Sequence, residues 1–174
     1  SGTLGAAEEA ALNGIPAIGV SLDTLSPDAD FSAVVKYFPD IFRKLISDYP
    51  TERGIYYNVN FPNIPAEEIK GIRVGHQGLG RWVREFRDWD PSVYSKHKLT
   101  PEMLGQSSVP VCEEGEKLYM MVGDFLDDKA NNSRSDHWIM REGYISIVPN
   151  NLDATDYAEK SRLESAGFDT DFAK

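Results

Sequence analysis

Gly14-Ile15-Pro16-Ala17-Ile18-Gly19-Val20-Ser21-Leu22 is the stretch whose reading decides the fold. From Ala17 onward it is short and nearly all apolar. Such a run fits a strand covered on both faces, which is the habit of parallel sheets. Immediately before it stands Ser1-Gly2-Thr3-Leu4-Gly5-Ala6-Ala7-Glu8-Glu9-Ala10-Ala11-Leu12-Asn13. A hydroxyl residue at the start, Glu in the early turns, alanines throughout and Gly14 at the end predict a helix. Its small side chains predict close packing on a sheet.

Downstream, Phe31, Val34, Val35, Phe38, Ile41, Phe42 and Leu45 recur at steps of three and four, the stripe of an amphipathic helix. Pro39 falls inside it, and because the stripe stays in phase across the proline, a kink is expected rather than two helices. Pro50 to Gly54 reads as a turn, and Ile55-Tyr56-Tyr57-Asn58-Val59-Asn60-Phe61 as a strand stopped by Pro62. Helix, strand, helix, strand in that order indicates an α/β sheet with right-handed crossovers.

After Pro62 the pattern changes. Ile72 to His76 and Trp82 to Arg87 alternate as strands do, and residues 88–117 are polar and carry three prolines. A long loop or hairpin tip is expected there. Leu118 to Val122 suits a returning strand, Ser135 to Arg141 a short helix, Tyr144 to Pro149 a strand, and Asp153 to Ala166 a closing helix. The 174 residues fit one domain, with 1–65 as an α/β core portion and 66–174 as a hairpin arm, closing strand and C-terminal helix.

Composition narrows the function. The formal net charge is −10, which opposes binding of a nucleic-acid backbone. Arg81, Arg84 and Arg87 are interleaved with Glu85, Asp88 and Asp90 and read as a solvated strand face. No apolar run reaches membrane-spanning length, so neither a nucleic acid nor a membrane is an expected partner. Cys112 stands alone among Glu113, Glu114 and Glu116, which excludes an internal disulfide and a thiolate-rich zinc site. A reducing, cytoplasmic setting is compatible with this.

Few residues suggest chemistry by themselves. At a helix start, free N–H groups and partial positive charge meet the hydroxyls of Ser1 and Thr3, a combination that can hold a phosphate or simply cap the helix. Asn58 and Asn60 project to one face near the end of an apolar strand. They either line a site or tie down a loop. His76, His97 and His137 lack metal-ligand spacing, and Asp124, Asp127 and Asp128 lack the EF-hand pattern and read as a solvated turn. No dinucleotide fingerprint, Walker loop or Gly-x-Ser-x-Gly elbow is present.

Taken in order, five stretches resemble the SurE family of 5′/3′-nucleotidases and acid phosphatases. Ser1 to Ala10 is similar to Ser-Gly-Thr-Val-Gly-Ala-Ala-Met-Glu-Gly, and Gly14 to Leu22 to the family's Gly-Ile-Pro strand. Asn58-Val59-Asn60-Phe61-Pro62 matches Asn-Val-Asn-Phe-Pro, and Gln77-Gly78 the glutamine-glycine after it. Ser135-Asp136 with Glu142-Gly143-Tyr144-Ile145-Ser146-Ile147-Val148-Pro149 resembles an Asp followed by Gly-Tyr-Val-Ser-Ile-Thr-Pro. Val148 departs from that pattern, and residues 81–116 are longer and more acidic than the family's arm.

The resemblance implies a Rossmann-like, mostly parallel sheet flanked by helices, with a C-terminal hairpin-rich arm. It implies a phosphomonoesterase for a small-molecule nucleotide, using one divalent cation (Mg²⁺ or Mn²⁺) to activate water, and a homodimer or homotetramer. Ser1, Gly2 and Thr3 would then hold the phosphate, with Asn58 and Asn60 supporting the site. The family's metal ligands are an Asp-Asp pair, a Ser and an Asn, all of which fall upstream of Ser1. The catalytic residues are expected there too, with the first strands of the sheet. On that expectation these 174 residues alone are inactive. A non-catalytic phosphate-binding or oligomerisation module of the same fold is the alternative.

Overall fold

The computed structural model describes residues 2–24, 26 and 28–171. Helix α1 (Gly2–Leu12) leads to β1 (Ile18–Leu22), α2 (Ser32–Ser47) and β2 (Ile55–Phe61). There follow β3 (Ile72–Val74), β4 (Gly80–Val83), β5 (Phe86–Asp88), α3 (Ser92–His97), β6 (Tyr119–Met121) and β7 (Asp124–Asp127). The chain closes with α4 (Asp136–Arg141), β8 (Ile145–Asn151) and α5 (Tyr157–Ser165).

The central sheet has the order β1-β2-β8-β3. β1 runs parallel to β2 and β3 parallel to β8, whereas β2 and β8 are antiparallel. The α/β, mostly parallel architecture expected from the alternation of helix and strand is therefore present, with β8 inserted from the far end of the chain.

Strand alternation sorts the two faces. Val59, Phe61, Ile145 and Ile147 point to one side, where Ala33 and Ile41 of α2 complete a buried cluster. α2 runs without a break through Pro39. Tyr56 points to the opposite side and is buried with Ala7, Ala11 and Ala17 beneath α1. Methyl-sized side chains let α1 lie close to the strands. The Tyr56 hydroxyl donates to Glu8 Oε1 at 2.6 Å and ties the helix to β2. Burial, with help from the Glu8 bond and charge, pushes the Tyr56 phenol up to about 12. Tyr49 clamps the strand entrances, its hydroxyl accepting from Ala17 N and donating to Ile55 O.

The arm is a two-stranded ribbon in two segments, β4 with β7 and β5 with β6. The single strand expected from Trp82 to Arg87 is broken at Arg84, whose φ is 54°. A non-glycine residue is uncommon in that region. Its guanidinium donates from Nε and Nη2 to Asp124 Oδ2 at 2.9 and 2.5 Å, which holds the break across the ribbon. The polar tip contains α3, packed through the buried Tyr94 against Trp89 with ring centroids 6.0 Å apart.

Ala11 is 2% exposed between α1 and the sheet. Ala11→Leu is expected to destabilise the protein by about 1–3 kcal/mol through overpacking. Leu12→Ala, at a position 53% exposed, should stay within about 0.5 kcal/mol. Urea unfolding of both variants checks the contrast, and equal effects would contradict the packing described.

Candidate functional site

The first turn of α1 lies over Gly19 of β1. Gly19 makes this possible. A Cβ there would stand 3.4 Å from both Thr3 Cγ2 and Thr3 O and 3.5 Å from Leu4 Cδ2. In front of the helix start the approach is open, since a Cβ at Gly2 or Gly5 would meet nothing within 4 Å. The first N–H groups of a helix have no intrahelical acceptors, and those of Gly2 and Thr3 belong to this turn. Gly2 and Thr3 are exposed. Ser1, the remaining member of the expected phosphate triplet, lies outside the described residues.

Two cross-strand rows run beneath this helix face. In the first, Gly19 pairs with Asn58, and Asn58 with Val148. Asn58 is 9% exposed, and its amide has no hydrogen bond among the described residues. Val148 explains part of that: where the SurE pattern has Thr, this chain offers Asn58 no hydroxyl. In the second row, Ser21 pairs with Asn60, Asn60 with Ser146, and Ser146 with Arg73. Directly opposed side chains on one face sit about 5 Å apart at Cβ. Ser146 is fully buried, and its Oγ has no partner among the described residues. Buried polar groups without partners are rare, so this row marks the sheet's least satisfied surface.

The second row opens into a cleft of about 500 Å³, lined by Ser21, Asp23, Thr24 and Asn60 from the strand ends, Met140 from α4 and Trp82 from the arm. Asp23 is anchored by its N–H, which donates to Phe61 O at 2.9 Å. The expectation that Asn58 and Asn60 share a face is met, and the face is the one α1 covers. Among the described residues neither side-chain amide makes a hydrogen bond to a loop.

A network at the base of the arm sets where Trp82 and Met140 stand. Asp127 Oδ1 accepts from Asn131 Nδ2 and lies 2.8 Å from His137 Nε2, while Oδ2 accepts from Trp138 Nε1 at 3.0 Å and Arg141 Nη1 at 2.7 Å. The acidic stretch read as a solvated turn therefore contains the hub joining β7 to α4. Asp136 Oδ1 accepts from Gly78 N at 3.0 Å and His137 N at 2.8 Å. Two motifs far apart in sequence, Gln77-Gly78 and Ser135-Asp136, thus meet at one carboxylate. A Cβ at Gly78 would stand 2.2 Å from the His137 ring, so only glycine fits.

His76 and His137 have structural partners here, and nothing brings either into the cleft. Among the described residues no three His, Cys, Asp or Glu side chains converge as cation ligands would. The described donors therefore do not fit a divalent cation, and no chemical step is assigned to one. No described helix is long and apolar enough to cross a membrane.

An open helix start and an unsatisfied polar row meet at the C-terminal edge of parallel strands. This is where α/β proteins of the open-sheet class bind small ligands. Comparisons with known proteins bear on the family. Residues 1–84 match the family described as "Survival protein SurE". The chain is 32% identical over 169 residues to the 5′-nucleotidase SurE of Bacteroides fragilis, covering 95% of this chain and 55% of that protein. It is 34% identical over 158 residues to the enzyme of the same name from Syntrophobacter fumaroxidans, covering 90% and 53%. The crystal structure of the SurE protein from Aquifex aeolicus superposes with a TM-score of 0.64 at 25% identity, over 96% of this chain and 58% of that one. These likenesses support a SurE assignment, and the chain spans about half the length of the curated relatives it matches.

Asp127 generates a pH prediction. The Asn131 bond, followed by those from His137 and Arg141, holds its carboxyl well below the usual carboxylate range. A carboxyl so lowered stabilises the fold above its unfolded pKa, near 4, and that stabilisation is lost as pH falls towards the folded value. Asp127→Asn should lower stability at pH 7 and flatten the decline below about pH 4. Urea midpoints across pH check this, and a slope identical to wild type would contradict it.

Proposed function

We propose that this chain carries the phosphate-holding side of a phosphomonoesterase site that hydrolyses nucleoside 5′- or 3′-monophosphates. The observation that supports it best is the start of α1, seated on Gly19 with open space at Gly2 and Gly5, beside the side-chain amides of Asn58 and Asn60, which have no hydrogen bond among the described residues. In a family whose relatives are named 5′-nucleotidase SurE, that arrangement suits a phosphate. The N–H groups of Gly2 and Thr3 and the hydroxyls of Ser1 and Thr3 would donate to its oxygens, and the helix dipole would favour its charge.

On this reading the chain's own residues bind and orient the ester. Asn58 and Asn60 support the phosphate from the sheet side, and the surrounding apolar strands limit water at its back. When bound, a divalent cation (Mg²⁺ or Mn²⁺) supplies water activation in such chemistry. Its ligands would come from the part of the relatives that this chain does not span. The 174 residues alone would then bind phosphate without hydrolysing the ester. A homodimer or homotetramer in the cytoplasm completes the proposal.

The test is phosphate release from AMP and 3′-AMP by a protein that carries these residues together with the part of the relatives that the chain does not span, with and without a chelator. Hydrolysis that stops on chelation and returns with Mg²⁺ or Mn²⁺ is expected. Thr3→Ala should lower kcat/KM roughly tenfold or more, the share of one hydrogen bond to a charged group. No hydrolysis of either ester, or a Thr3→Ala enzyme equal to wild type, would overturn the proposal.

A further inference from the structure

Thr3 sits against Gly19, and the cleft begins at Ser21, the next residue of β1 on the same face. Two residues of strand span about 7 Å. A phosphate at the helix start therefore has its ester group at the mouth of the cleft. The cleft's volume of about 500 Å³ lies in the ordinary range for small-molecule sites.

Its lining is selective. Among the described residues no Lys, Arg or His lines it, and Asp23 contributes a carboxylate. Against these lining residues a second phosphate would meet the Asp23 carboxylate, so the lining favours entry of a neutral group. Ser21, Thr24 and Asn60 offer hydroxyls and an amide, and Asp23 offers acceptor oxygens for hydroxyl donors. One wall is the indole of Trp82. The arm holds that ring from behind: its centroid is 5.7 Å from that of Phe125, and a Cβ at Gly123 would lie 3.0 Å from Trp82 Cε3. Trp82 is nonetheless 53% exposed. A large aromatic side chain fixed on one side and open on the other, facing hydrogen-bonding groups, suits a flat polar ring.

We propose that the cleft between the ends of β1 and β2 and the arm is the nucleoside subsite, with Trp82 as a base-stacking wall and Asp23 and Asn60 as hydrogen-bonding partners of the ribose and base. The inference rests on the phosphomonoesterase reading above and adds the residues that select the ester's leaving group. Stacking tolerates any base, so Trp82 favours nucleosides over aliphatic groups without choosing among bases. Asp23 disfavours a nucleoside diphosphate.

Two measurements test it, both on a protein that carries these residues together with the part of the relatives that the chain does not span. Adenosine, which carries no phosphate, should quench indole fluorescence in wild type, and the quenching should disappear in Trp82→Leu, although Trp89 and Trp138 remain. In steady-state assays, Trp82→Leu should lower the ratio of kcat/KM for AMP to that for glycerol 3-phosphate by roughly tenfold or more. Trp82→Phe, which keeps a ring against Phe125, should restore the ratio to within a few-fold of wild type. No quenching in wild type would overturn the subsite. So would an unchanged ratio in Trp82→Leu, or a loss in Trp82→Phe as large as in Trp82→Leu. Quenching by adenosine without hydrolysis of any ester would leave the subsite standing and sink the phosphomonoesterase reading instead.

Discussion

The close approach of α1 to the sheet is the contact on which the site depends. Ala7, Ala11 and Ala17 bury their methyl groups with Tyr56, and Gly19 leaves space for Thr3 to rest on the strand. Larger side chains at these positions would lift the helix away from β1 and β2. Its first turn would then no longer rest on Gly19, and the polar row from Ser21 to Ser146 would face open water. The Tyr56–Glu8 hydrogen bond adds direction to that packing. It fixes the helix along β2, where van der Waals contact between small groups alone would let it slide.

A second constraint fixes the other wall. α4 has only six residues and cannot hold its position by helical propensity. It is instead pinned at both ends. Asp136 receives the Gly78 N–H at its start, and Asp127 gathers His137, Trp138 and Arg141 along its length. Because Asp127 belongs to β7, the same carboxylate orients the arm. Trp82, on the strand paired with β7, reaches the cleft as a consequence. The core and the arm thus share one electrostatic junction, and the shape of the cleft follows from it.

The readable parts of this structure are those in which local period and tertiary role coincide. The alanine-rich helix, the apolar run to Leu22 and the Asn-Val-Asn strand each carry their face assignment in their own alternation, so the α/β core was legible. The antiparallel insertion of β8 between β2 and β3 was not, because a strand's neighbours are set by contacts 73 to 96 residues away rather than by its own pattern. Asp127 reads as one acid among several. Its importance comes from donors on α4 that no spacing rule connects to it. Arg84 alternates smoothly in sequence and gives no sign of the break held by Asp124. Trp82 had no sequence signal for a ligand role, since a strand-borne aromatic is ordinary until an arm carries it over a polar cleft. Ser146 sat in a recognised motif, but only its burial reveals the unpartnered hydroxyl.

The central claim is that the start of α1, above Gly19 and Asn58, is where a phosphate is held. Backbone and side-chain amide NMR during a titration with inorganic phosphate addresses it most directly, because it reads the proposed donors without requiring turnover. Saturable shifts at the Gly2 and Thr3 N–H groups, accompanied by the Asn58 and Asn60 side-chain amides, are the predicted result. Shifts confined to the arm between Gly80 and Asp127, with the helix start unmoved, would contradict it.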